Sequence, residues 1–308
     1  MRSEVNAFLV RLLLFGSVLG SVLAVVAVTG PLLGYIDYMG AIRSKHQRLA
    51  STPSPRLVII GGSNAAFGIN STELEQAVGM PVVNMALHGS LGYRFMVNEV
   101  IDDLREGDVL LVVPEHSQFQ TPEKTQDVLY SALELYPPAW RYVPVASCVQ
   151  VALTYSVKKL QAAVDVVVDP DIPKPEPVYR ADGFDERGDL LLHLNRVSFG
   201  TKYAKPMEVD RIDVPWLFWA ITDRLTNRAD RQHFKVLFAW PSQARSTAKA
   251  SIDAGLVEDL KAHDIAIVGQ PEEHVYDDSL FYDTKYHLGG VGRELRTQRL
   301  ITDLKGAL

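Results

Sequence analysis

Charge is absent from one long stretch near the start of the chain: no charged residue occurs from Leu12 to Ile36. As a helix this stretch would reach about 37 Å, against a bilayer core of about 30 Å. Pro31 can end or kink it, and Leu12–Thr29 alone would still reach about 27 Å. The pattern predicts an uncleaved, membrane-spanning signal anchor. The competing reading is a cleaved signal peptide, since Arg2 and Arg11 form a basic leader and small residues lie near Ala27 and Thr29. No cysteine lies near the end of the stretch, which excludes a lipoprotein. Arg2 and Arg11 flank one end and Arg43, Lys45 and Arg48 the other, so charge counting leaves the sidedness open.

Beyond this stretch the periodicity changes. Asp37–Ala50 reads as a helical stalk, and Ser51–Pro55 (STPSP) as a turn-rich linker. The expected organisation is a tail and transmembrane anchor over 1–36, stalk and linker over 37–55, and an α/β domain over 56–308. Five short apolar runs in that domain have strand character: Leu57–Ile60, Pro81–Asn84, Val109–Val113, Lys235–Trp240 and Ile265–Val268. Helical patterns alternate with them at Ser71–Val78, Tyr93–Leu104 and Thr247–His263. Such alternation predicts a three-layer α/β/α fold with a central five-stranded parallel sheet covered on both faces. A last helix, Gly290–Leu304, places Val291, Leu295, Ile301 and Leu304 on its apolar side and Arg293, Arg296 and Arg299 elsewhere. A long insertion, about 117–231, separates the third and fourth strands. It holds a predicted helix from Pro144 to Val164 and a Pro-rich excursion, Asp169–Pro177.

Composition narrows the class. Of 308 residues, 47% are apolar and 22% charged, as in a globular protein with a real core. A net charge of -6 without a basic stripe excludes a nucleic-acid binder. The small cluster Arg43, Lys45 and Arg48 is positioned to meet lipid headgroups. The single cysteine, Cys148, excludes an internal disulfide framework and a multi-cysteine metal site, and its apolar setting reads as a small buried hydrophobe.

In an open parallel sheet, ligands bind beyond the carboxyl ends of the strands. The residues that follow the five runs are Gly61-Gly62-Ser63-Asn64; Asn84 and then His88-Gly89-Ser90; Glu115-His116-Ser117-Gln118; Pro241-Ser242-Gln243; and, through a loop, Tyr282-Asp283-Thr284-Lys285-Tyr286-His287. Ser63, at a strand-to-helix turn after two glycines, is the candidate nucleophile. A serine hydroxyl needs a base, and His287 is the candidate, with Asp283 to orient it. Taken singly, a Gly-Gly-Ser turn and a histidine at a helix start are commonly structural; their convergence at one end of one sheet is what raises them. GGSNAAFG lacks both the G-x-G-x-x-G spacing and the Walker lysine, so a phosphate loop is the weaker reading. His116, His193 and His233 show no metal-ligand spacing, and no metal or organic cofactor is expected. Tyr179–Phe184 and Gly188–Asp189 fit a substrate entrance or an ordinary turn equally well.

These residues carry a resemblance. VIIGGSNAAFGIN (Val58–Asn70) resembles the first block of the SGNH (GDSL-like) hydrolases, with Gly62 where that family usually has Asp. VVNMALHGSLG (Val82–Gly92) resembles the second block, and FYDTKYHLGGVGRELRTQRLI (Phe281–Ile301) the last, in which Asp and His precede the final helix. The resemblance implies the SGNH, flavodoxin-like sheet, a Ser63–His287–Asp283 triad, and Gly89 as an oxyanion-hole residue. Two departures stand out. Asp283 lies four residues before the histidine instead of three, and the third block reads VVPEHSQF without its usual Asn. Gln118, Glu115 or Asn64 are the candidates to supply the missing donor. With the N-terminal anchor, these departures are similar to the DltD- and AlgJ-type proteins of bacterial envelope O-acylation, which implies a globular part outside the membrane.

The expectation is therefore a serine-dependent acyl esterase or O-acyltransferase acting on an acylated cell-envelope carbohydrate, with an acyl donor and a membrane-bound O-acyltransferase as candidate partners. The alternative is an inactive SGNH-like module that binds or scaffolds such a partner.

Overall fold

The computed structural model describes residues 2–29, 37–123, 127–168, 176–198, 205–206 and 208–308. The chain forms two compact units, Met1–Tyr35 with Val143–Pro175, and Ile36–Tyr142 with Glu176–Leu308.

In the first unit, helix α1 (Arg2–Thr29) packs against a later helix, Val145–Val168, numbered α8 in chain order. Among the described residues α1 is the one helix long and apolar enough to cross a membrane, over Ser3–Val26. It begins before the uncharged stretch and takes Glu4 and Arg11 into the helix. Pro31 and the rest of that stretch after Thr29 lie outside the described residues, as does the Pro-rich excursion up to Pro175. Helix α8 was expected over Pro144–Val164 and runs one turn further. Cys148 lies on α8, half-buried instead of buried, with Sγ 3.8 Å from the carbonyl of Val143.

The second unit is built on five strands: β1 (Leu57–Gly61), β2 (Val82–Asn84), β3 (Val109–Val113), β4 (Lys235–Ala239) and, after a two-residue β5 (Gln243–Ala244), β6 (Ile267–Val268). All five pair in parallel in the order β2-β1-β3-β4-β6. β1 and β3 are buried along their whole length. That explains their unbroken Val/Ile/Leu runs, since a strand covered on both sides has no polar face to alternate with. β5 pairs separately with β7 (Val275–Tyr276), a two-residue ladder too short to leave a periodic signal.

Local chemistry sets the helix ends. Helix α4 (Ser71–Val78) is capped by the Asn70 side chain, which accepts from the Glu73 N–H, and ends at Gly79 in the left-handed conformation. Helix α5 (Tyr93–Val100) stops short of Leu104 because its last turn tightens, Asp103 N–H donating to Val100 O at 2.8 Å, while Arg56 claims the Asp103 carbonyl. The unit also holds α2 (Ala41–Ser51), α3 (Ser63–Gly68), α6 (His116–Gln120), α7 (Asp127–Leu135), α9 (Trp216–Gln232), α10 (Ala250–Ala262) and α11 (Gly290–Lys305). α11 packs against α3 and α4, and α5 against α9.

Two expectations are corrected here. The segment read as a stalk is part of the unit. Tyr38, Met39, Ile42 and Leu49, spaced to form one helical face, are buried. Lys45 lies on the same face. Its Nζ donates to the carbonyls of Asn84 (2.8 Å) and Gly188 (2.5 Å) and sits over the Phe184 ring, so it does not face lipid headgroups. Arg48 turns to Glu75, and Arg43 to the Leu135 carbonyl. The second correction concerns α11. Val291 and Leu295 are 69% and 50% exposed, whereas Arg293 and Arg296 are 4% and 1% exposed. The interior they face presents acceptors, Ile69 O, Asn64 O and Asp189, and a guanidinium supplies five donors to such a surface.

Burial pushes Lys45 down to about 7 from its ordinary 10.5, against the pull of Asp189, Glu99 and Asp185. The unfolded chain keeps this proton up to about pH 10, while the folded chain sheds it near 7. The desolvation penalty is therefore complete below pH 7 and is relieved as pH rises toward 10. Urea unfolding should show stability rising between pH 7 and 9.5, and Lys45→Met should flatten that rise.

Candidate active site

The chain leaves β1 for β2 on one side and reaches β3 on the other. This reversal opens a crevice at the carboxyl ends of β1 and β3. Gly61 is paired with Val113 in the parallel register, so the residues two beyond each, Ser63 and Glu115, emerge opposite one another. Gly62 is extended, and Ser63 begins α3, which brings its hydroxyl to the rim of the sheet.

His287 arrives from a tightly closed loop. Tyr282 N–H donates to His287 O at 2.7 Å, and Gly289 N–H to Leu280 O at 2.7 Å. Thr284 Oγ1 accepts from the N–H groups of Tyr286 and His287, both at 3.2 Å. This turn folds Asp283 back onto the histidine and accounts for the spacing of four. Asp283 Oδ1 lies 2.8 Å from His287 Nδ1, and His287 Nε2 lies 2.8 Å from Ser63 Oγ. A carboxylate only accepts, so the proton belongs on Nδ1 and the Nε2 lone pair faces the serine hydroxyl. The imidazole also stacks on Phe67, ring centroids 3.9 Å apart and 10° from parallel. Burial works to raise Asp283, but hydrogen bonds and charge from His287, with a further bond from Tyr179, outweigh it and hold the carboxyl below its ordinary value.

The four oxyanion candidates separate. Glu115 is 8% exposed and lies beside the candidate nucleophile: its Oε1 accepts from Asn64 N–H at 3.2 Å and from Asn64 Nδ2 at 3.4 Å, and stands 3.4 Å from Ser63 Oγ. Gly89 adjoins the same carboxyl group. The Asn64 side chain turns inward, donating to Val113 O and accepting from Arg296 Nη2 at 3.1 Å. Gln118 is equally internal. Its Oε1 accepts from Glu115 N–H at 2.8 Å, and its Nε2 donates to Gly89 O at 3.2 Å, so it braces the two walls of the crevice.

Several supporting residues were not singled out for these roles in the sequence. Tyr179 O–H donates to Asp283 Oδ2 at 2.5 Å and lies 3.2 Å from His287 Nδ1. Burial, then the bond and charge of Asp283, push its phenol far above its ordinary range, so it serves as a fixed donor. Arg296 donates to Asn64 O, Asn64 Oδ1, Ser242 Oγ and Trp240 O, tying α3 to α11 and the end of β4; burial lowers it to about 10. Asp189 accepts from Ser71 N–H, Ser71 O–H, Asn84 Nδ2 and Arg293 Nη2. The three histidines set aside in the sequence are elsewhere engaged. His193 is buried behind Phe67 and bonds to Phe67 O; burial and then the charges of His287 and Arg293 push it down to about 4. His116 bridges Asp253 and Tyr286, and His233 ends α9 in the left-handed conformation. A lone Tyr after a Pro-rich run, or an Asp before an apolar run, reads as a turn; only the fold reveals what these side chains touch.

Compared with known proteins, the chain matches no protein-family model and no curated protein.

In a p-nitrophenyl acetate assay, Asp283→Asn should lower turnover by about 10²-fold, and His287→Ala by about 10⁴-fold or more. The difference arises because Tyr179 remains beside Nδ1. The double variant with Tyr179→Phe should approach the loss seen in His287→Ala; additivity of the two single losses would show that Tyr179 does not hold the ring.

Proposed function

We propose that this chain is a serine acyl-transfer enzyme of the SGNH hydrolase type, with Ser63 as nucleophile, His287 as general base and Asp283 as its orienting carboxylate. The observation that carries the reading is the unbroken chain of contacts Ser63 Oγ–His287 Nε2 and His287 Nδ1–Asp283 Oδ1, each 2.8 Å, at the reversal point of a parallel sheet. The helices then form the outer layers of a three-layer α/β/α domain. As Ser63 attacks an ester carbonyl, its proton passes to Nε2, and the imidazolium is stabilised by Asp283. His287 returns the proton to the leaving alcohol, and the acyl group remains on Ser63 until water or a sugar hydroxyl removes it through the same base.

The substrate class follows from the resemblance and the N-terminal helix together. In this reading α1 anchors the chain in a membrane, the catalytic unit lies on the outer side, and the acceptor is a cell-envelope carbohydrate, served by a membrane-bound O-acyltransferase partner. A scavenging esterase gains little from tethering, whereas a transferase gains effective concentration near an acyl source. A second reading, an inactive SGNH-like module, is favoured by one feature: the Glu115 carboxyl stands where a donor to the oxyanion is needed.

The test uses the detergent-solubilised chain, an activated acetyl ester and a panel of envelope glycans. Acetylated glycan formed by the wild type and lost in Ser63→Ala supports transfer. Acetate alone means an esterase, and neither product means the inactive module.

A further inference from the structure

Helix α8 is amphipathic in the opposite sense to a helix on the surface of a water-soluble protein. Along it Val145, Val149, Leu153, Val157, Leu160 and Val164 recur every three or four residues, and each is between 41% and 89% exposed. At about 100° per residue they fill one arc of roughly 120°. The charged residues of the helix, Lys158, Lys159 and Asp165, fall outside that arc, and so do Gln150 and Gln161. Lys159 is only 1% exposed, and Val151, also off the arc, is buried. A helix against water would turn the lysine out and the aliphatic stripe in.

Ser156 is the one polar residue within the arc. Its hydroxyl donates back to Ala152 O at 2.9 Å, just as Ser21 in α1 donates to Ser17 O at 2.8 Å. Neither serine then carries an unmet donor outward, which is the condition for placing such a group in hydrocarbon.

Accepting α1 as a membrane anchor, on which this rests, we infer that the outer face of α8 is a second membrane-contacting surface, its valines and leucines set among lipid acyl chains. Continuity with α1 is the first reason to choose lipid as the occupant. α8 packs on α1 within one compact unit, and the α1 side chains from Ser3 to Val25 are exposed as well. Two packed helices lie within about 10 Å of each other, so whatever bathes α1 is at hand for α8. Composition is the second reason. The stripe is aliphatic throughout, without the Trp, Tyr or Arg that anchor protein interfaces, and without a charge to set a partner's register. Among the described residues only α1 is apolar enough to span a bilayer, so α8 meets lipid with one face, as an interfacial helix does.

The consequence lies in how the chain is threaded. It passes between the two units three times, after Tyr35, after Tyr142 and after Pro175. With α8 in lipid, the second unit is tied to the bilayer through all three passages instead of one. That restricts its wandering and raises its effective concentration toward a membrane-bound acyl source.

The test places the full chain in phosphatidylcholine vesicles. Cys148→Ser removes the native thiol, and single cysteines at exposed positions carry a nitroxide: Val149→Cys, Leu153→Cys or Leu160→Cys in the stripe, Asp165→Cys off it, and Val18→Cys in α1. Oxygen, which concentrates in hydrocarbon, and a nickel chelate, which stays in water, compete to relax each label. The oxygen-to-nickel ratio at the stripe positions should approach that at Val18 and exceed that at Asp165 by about 10-fold. Unchanged melting temperatures check that the variants fold as the wild type does. A stripe as open to nickel as Asp165, with Val18 in lipid, overturns the proposal and leaves α1 standing as the anchor. Stripe labels closed to both reagents and broadened by dipolar coupling to a second copy also overturn it, and make this face a subunit interface. Nickel access at Val18 overturns both readings.

Discussion

The parallel pairing of β1 with β3 is the constraint on which the site depends. Register in a parallel sheet is set by backbone hydrogen bonds along two fully buried strands. A slip by one residue would turn buried side chains to the other face. With Gly61 opposite Val113, Ser63 and Glu115 have no choice but to meet. The reversal of strand order at the same place opens the crevice that lets a third element, the loop before α11, bring in His287. Nothing in the local sequence of Ser63 selects this neighbourhood; the topology does.

A second layer of polar contacts holds the geometry once the sheet has set it. Arg296 and Arg293 enter the interior from α11 and meet the acceptors of α3, Ile69 and Asp189, while Lys45 reaches the carbonyls of Asn84 and Gly188 from α2. Burying such groups costs desolvation energy, and a buried ion pair is rarely the cheapest way to fill space. What these provide is position: they fix α3, the residues after β2 and the segment around Asp189 to one another without relying on the non-directional packing of apolar side chains. Removing one partner would leave the other buried and unpaired, which is why such networks behave as units.

The alternation of apolar runs and helical patterns made the five-stranded parallel sheet legible in sequence, and the strand exits made Ser63, Asp283 and His287 stand out. What was not legible follows from two causes. Helical amphipathicity was read by assuming that arginine faces water, which fails where the interior presents acceptors; the first half of α11 therefore turns Arg293 and Arg296 inward and leaves Val291 and Leu295 exposed, while Ile301 and Leu304 are buried as the pattern implied. The segment before β1 looked like a stalk because it follows the apolar stretch and is rich in charge, yet Tyr38, Ile42, Lys45 and Leu49 form one buried face. Long-range partners were the hardest to foresee. Tyr179 reaches Asp283 across more than a hundred residues of chain, and the side chains of Asn64 and Gln118, offered as oxyanion donors by position alone, are bonded to Arg296 and to Gly89 O.

The central claim is that His287 activates Ser63 for attack. Reaction of the detergent-solubilised chain with a fluorophosphonate, followed by peptide mapping, tests it without knowledge of the substrate. The account predicts one adduct, on Ser63, that is absent from His287→Ala. Label on another residue, or an unmodified Ser63 in the folded wild-type chain, would contradict it.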